Sequence, residues 1–127
     1  PLEGQPDSFS GAVGNFSIDV TTSKPELKAN ESLQATVKVS GRGNLRLFTL
    51  PELQTPSALE RYEPESSENV RSSLSGMSGS VTQSYTLVPQ YQGKYPIPAV
   101  EFSFFNPKTK SYQTVKSAEQ LVDVTEG

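Results

Sequence analysis

Apolar residues fall at every second position in several stretches of this chain, and a period of two marks a half-buried β-strand. Phe16, Ile18 and Val20 alternate with polar neighbours over residues 15–20. Leu33, Ala35, Val37 and Val39 do the same against Ser32, Gln34, Thr36, Lys38 and Ser40, the cleanest run in the sequence. Val81, Tyr85 and Leu87 share one face of a run that Pro89 ends, and Val100, Phe102 and Phe104 alternate with Glu101, Ser103 and Phe105. A last strand is predicted over residues 120–125, with Leu121, Val122 and Val124. No long stretch places apolar residues at i, i+3, i+4 and i+7, so no helix is predicted.

The connections read as turns and crossings. Residues 23–31 form a polar crossing, and Gly41-Arg42-Gly43-Asn44 supplies the backbone freedom of a tight connection. Leu45, Leu47 and Phe48 are expected to begin a strand that Pro51 ends. Periodicity weakens over residues 52–74, where Leu59 and Tyr62 fit a short strand limited by Pro56 and Pro64. The run SSLSGMSGS, residues 72–80, reads as a loop or bulged hairpin, and residues 106–110 as a hairpin loop leading into residues 111–116. The Gly-, Ser-, Pro- and Gln-rich residues 1–12 read as a linker or flexible tail, leaving 13–127 as the folded domain.

Between Leu87 and Pro98 the chain reads LVPQYQGKYPIP. A strand ends at Pro89, a turn runs to Gly93, and a new strand starts at Tyr95. The spacing Gly93-x-Tyr95-x-Ile97 is that of the tyrosine corner in immunoglobulin-like sandwiches, with Ile97 where those domains place a cysteine. Pro96 and Pro98 then restrict pairing and split the following strand into pieces near 94–97 and 99–105. Seven to nine short strands separated by turn residues specify an all-β protein, an immunoglobulin-like antiparallel β-sandwich.

Composition narrows the function. At 127 residues the chain is one domain, and its hydrophobic fraction of 33% suits a thin two-layer core. Fourteen acidic and eleven basic residues give a net charge of −3, which argues against nucleic acid as a partner. No run approaches the ~20 apolar residues of a membrane span, and the first residues lack signal-peptide character, so no membrane contact is expected of this segment itself.

There is neither Cys nor His. Disulfides and the usual zinc, copper and haem ligand sets are therefore missing, and no cofactor is expected. A serine hydrolase needs a base beside its hydroxyl, and neither G-x-S-x-G nor Ser-x-x-Lys occurs. Glu63 and Glu65 resemble exposed loop acids rather than a catalytic pair, so the chain is not expected to be an enzyme. Tyr62, Tyr91, Phe105 and Tyr112 are candidates for a sugar-stacking platform, against the ordinary reading of cross-strand aromatic packing. Two N-x-S sequences, at Asn15 and Asn30, are short patterns with Phe16 facing the core. Asp123 and Glu126 offer oxygen to calcium without ligand spacing to support a site.

Several pieces taken together resemble the BatD oxygen-tolerance family. They are Gly14-Asn15-Phe16-Ser17-Ile18, Leu27-Lys28-Ala29-Asn30-Glu31, Gly41-x-Gly43-Asn44-Leu45 and Leu87-Val88-Pro89. Gly93-x-Tyr95-x-Ile97-Pro98, residues 101–109 (EFSFFNPKT) and Ser111-Tyr112 follow in the same order. The resemblance implies one immunoglobulin-like domain of a bacterial envelope protein, periplasmic and anchored through parts of a longer chain. It carries no catalytic residues. It implies as partners other domains of the same chain and neighbouring membrane proteins with von Willebrand factor A domains. Such domains often hold a divalent ion that a partner carboxylate completes, and Glu63, Glu65 and Glu68 in the most acidic stretch are the candidate ligands. The expected role is a spacer and protein-interaction module, and the alternative is a ligand-binding or adhesive module for carbohydrate.

Overall fold

The computed structural model describes residues 9–45, 48, 50–51, 53–57, 59–73 and 76–126. Ten strands run in order: β1 (Phe9–Thr22), β2 (Glu26–Lys28), β3 (Leu33–Gly43), β4 (Leu59–Arg61), β5 (Glu65–Ser73), β6 (Gly76–Pro89), β7 (Gly93–Ile97), β8 (Glu101–Asn106), β9 (Ser111–Lys116) and β10 (Gln120–Thr125). The described residues contain no helix. The architecture is the all-β, immunoglobulin-like sandwich expected, with more strands than the seven to nine expected.

The first layer is built on β3, which pairs antiparallel with β1 on one side and β6 on the other. Their registers put Ile18, Val39 and Val81 in one cross-strand row, and Thr22, Ala35 and Tyr85 in another. Alternation therefore sends one set of side chains inward, and Leu33, Ala35, Val37 and Val39 are buried almost completely. Beyond β6 lie β4 and β5. The second layer holds β8 and β9 together with a separate sheet of order β2-β10-β7.

β1 serves both layers. Its first residues run parallel to β8, with Val13 opposite Phe105, and from Gly14 onward it pairs with β3. Gly14 has φ +147°, and a Cβ there would lie 2.0 Å from the Arg42 carbonyl oxygen. Only glycine fits at this change of partner. Phe16 then packs its ring edge-on against Phe48, Phe102 and Phe104, at centroid distances of 5.4, 5.9 and 5.4 Å. Edge-to-face contacts of this kind add to the area buried, which is worth about 1.5–3 kcal/mol for each large apolar side chain.

The β8–β9 hairpin and the β7–β10 pair form one interrupted ribbon. Glu101 pairs with Lys116, and Ile97 with Gln120, so the register is the same on both sides of the gap. Inside the gap the Val100 N–H donates to Ser117 Oγ at 2.8 Å, and the Ser117 N–H donates to the Val100 carbonyl at 3.0 Å. A serine hydroxyl thus replaces a carbonyl where Pro98 precludes regular pairing.

Several local expectations are corrected. β3 continues through Gly43 instead of turning at Gly41. Leu45, Phe48 and Leu50 lie outside any strand, and Leu47 falls outside the described residues. Residues 65–73 and 76–89 form a long hairpin, which keeps the hairpin alternative for residues 72–80 and replaces the expected edge and loop over 65–71 by a regular strand. Of the expected tail 1–12, residues 1–8 lie outside the described residues, while Phe9 begins β1 and Ala12 is buried.

Candidate functional site

The residues singled out at the corner sit together. The Tyr95 hydroxyl donates to the Tyr91 carbonyl at 2.8 Å, with the Gln92 carbonyl at 3.2 Å. Its ring folds over Gly93, whose φ is +151°, and a Cβ there would stand 3.2 Å from Tyr95 Cζ and Oη. Ile97 is fully buried. The hydroxyl ties the β6–β7 turn to β7 and leaves no open chemistry.

The three acids do not form one surface. Glu63 lies in the segment before β5, while Glu65 and Glu68 belong to β5. The β5–β6 register is unbroken, with Glu65 opposite Ser84 and Glu68 opposite Val81. Residues an odd number apart on a continuous strand point to opposite faces, so Glu65 and Glu68 cannot meet one ion from one side. Glu68 lines a hollow with Leu45, Phe48, Leu50 and Val81, whereas Glu63 lines another with Arg61, Tyr62 and Tyr85. Among the described residues no three His, Cys, Asp or Glu side chains are grouped so as to hold a metal ion.

Phe9, Phe105 and Tyr112 are edge-packed outside the core. Tyr112 meets Phe9 at 82° and Phe105 at 70°, each at 5.2 Å. Rings so crossed offer no flat platform for a sugar. Tyr62 and Tyr91 are the more exposed candidates. The Tyr62 hydroxyl bonds to the Glu60 carboxylate, and that bond together with the negative charge raises the phenol above its ordinary value near 10.0. Asp123 sits in the β10 ladder opposite Lys94 and Glu26.

Residues 20–124, which span the sandwich and its corner, match the BatD DUF11-like domain. The chain belongs to the BatD family. The match runs from within β1 to within β10, so it takes in the Tyr95 corner, the β5–β6 hairpin and the interrupted ribbon. Comparison with curated proteins and with solved structures gave no match.

In this BatD-family domain the feature most open to a partner is a backbone edge. Among the described residues β5 pairs with β6 alone, and eight of its nine residues are exposed, Val70 being half-buried. The sequence pattern could not reveal it, because Glu-Ser-Ser-Glu-Asn-Val-Arg-Ser-Ser contains one apolar residue and so shows no alternation. The available signal was the absence of Gly and Pro across nine residues followed by a Gly-containing turn.

Proposed function

We propose that this BatD-family domain is a non-catalytic module of the cell envelope that spaces neighbouring domains and docks protein partners by strand addition at β5. The observation that carries the reading is the outer side of β5, a nine-residue strand with one neighbour among the described residues. Such an edge presents a row of backbone donors and acceptors that a partner strand can complete. Glu65 and Glu68, one on each face, repel acidic strands and so bias the edge against indiscriminate pairing. The partners that fit the family are other domains of the same chain and membrane proteins with von Willebrand factor A domains. The place that fits is the periplasm, with anchoring by other parts of a longer protein. The opposite faces of Glu65 and Glu68 make backbone pairing a better basis for docking than a shared metal ion.

The test is a pull-down of the full-length protein from membranes, compared with the protein lacking this domain and with single proline substitutions at residues 66–70. Alternate amides of an edge strand point outward, so one alternating set of prolines should leave the melting curve in place and abolish docking. Retention of every partner after deletion of the domain would sink the proposal.

A further inference from the structure

One end of the sandwich carries basic side chains from two hairpins. Arg42 near the end of β3 shares a cross-strand row with Ser78 and Arg71, and Arg42 and Lys108 line the same groove at that end. Lys110 follows in the same β8–β9 turn. Among the described residues no Asp or Glu lines the groove, although the chain carries a net charge of −3. Arg42 and Lys108 form no ion pair with a described residue.

The groove has a volume of about 810 Å³, within the ~300–1,000 Å³ typical of binding clefts. Its apolar lining comes from Val13, Met77 and Pro107. Val13 is 40% exposed, unusual for a large apolar side chain in this domain. Gly14, Gly41 and Gly43 add bare backbone because the β1–β3 ladder is too close there for any Cβ: each would lie 2.0–2.1 Å from a carbonyl oxygen. The Asn44 side chain is already engaged, accepting from the Val13 N–H and donating to the Gly11 carbonyl. The Asn106 side chain is likewise held by the Lys108 N–H and by Gln113. The two cations are therefore the lining side chains with charge left to satisfy.

We propose that this groove binds an extended acidic peptide segment, with Arg42 and Lys108 meeting its carboxylates and Val13, Met77 and Pro107 its apolar side chains. Charge complementarity selects an acidic occupant, and the mixture of apolar lining with bare strand backbone favours polypeptide over a simple anion. The inference shares with the preceding proposal the reading of the domain as a protein-docking module, but it uses a different surface.

Calorimetric titration of the full chain with a synthetic peptide alternating Asp and Val tests it, with the Asn-Val counterpart as control. The acidic peptide should bind and the neutral one should not, and binding should weaken as salt rises from about 0.05 to about 0.5 M. The Arg42→Glu/Lys108→Glu pair, both at exposed positions, should keep the melting curve and weaken binding about tenfold or more. The Arg42→Lys/Lys108→Arg pair should retain it. Absence of binding, equal binding of both peptides, or indifference to charge reversal overturns the proposal, as does preference for phosphatidylserine vesicles over the peptide. The β5 proline substitutions should leave peptide binding unchanged, so failure of the groove and failure of the β5 edge are read separately.

Discussion

Replacing Ser117 by alanine removes from the break in the β7/β8–β9/β10 ribbon the hydroxyl that accepts from a buried amide. Val100 is 5% exposed and Ser117 6%, so water does not reach the Val100 N–H once Oγ is gone. The 2.8 Å bond from that N–H has no substitute nearby in the ladder, since the Ser117 N–H already engages the Val100 carbonyl. Leaving a buried donor unpaired costs about 1–3 kcal/mol, more than the ~1 kcal/mol net value of an average hydrogen bond. The volume lost is a single oxygen, so a cavity contributes little. For a domain of this size the expected fall in Tm is roughly 3–6 °C for each kcal/mol.

Ser103→Ala supplies the comparison. Ser103 is fully buried and its hydroxyl lies 2.7 Å from Thr114 Oγ1, but Thr114 is exposed and can turn its hydroxyl to water. Thr114 is not orphaned, and loss of this hydroxyl pair should cost ~1 kcal/mol or below. Urea unfolding of both variants, with unchanged m-values, measures the difference. The reasoning is refuted if Ser117→Ala lies within about 0.5 kcal/mol of the parent, or if Ser103→Ala costs as much as Ser117→Ala.

Three further outcomes are expected. Tyr95→Phe should cost about 1 kcal/mol by losing the hydroxyl bond to the Tyr91 carbonyl, and an unchanged melting curve would remove the corner's structural role. Gly41→Ala should destabilise by about 1–3 kcal/mol or more, because φ is +148° and the new Cβ would stand 2.1 Å from the Asn15 carbonyl oxygen; a soluble variant with parental stability in urea would contradict this. Tyr62 should ionise above its ordinary value in an ultraviolet titration, and Glu60→Gln should bring it down. Since folding raises that phenol, its small stabilising contribution is complete below the unfolded value and is lost as pH climbs through the folded one.

The alternation of Phe16, Ile18 and Val20, and of Leu33 to Val39, was enough to define two strands and the faces they bury, because a pleated strand must send alternate side chains to opposite sides. The Gly93-x-Tyr95-x-Ile97 spacing was enough to place a corner, since its contacts are local. Where pairing is set by distant chain, the local pattern does not carry it. β5 has too few apolar residues to show a period, and it exists as a strand because β6 offers it a ladder. β3 does not turn at Gly41 because the glycines there serve a close approach to β1. Ser103, in the alternating run, is buried because β8 is flanked by β1 and β9.

The same division governs function. Composition alone removed histidine and cysteine chemistry, and the order of short motifs along the chain pointed to the BatD family before any fold was known. Only the tertiary structure separated Glu65 from Glu68, left β5 with one neighbour among the described residues and gathered Arg42 and Lys108 around one groove. Periodicity states which way a side chain points from its own strand. What covers that side chain, and what stands beside the strand, depends on residues tens of positions away, and those the local pattern does not contain.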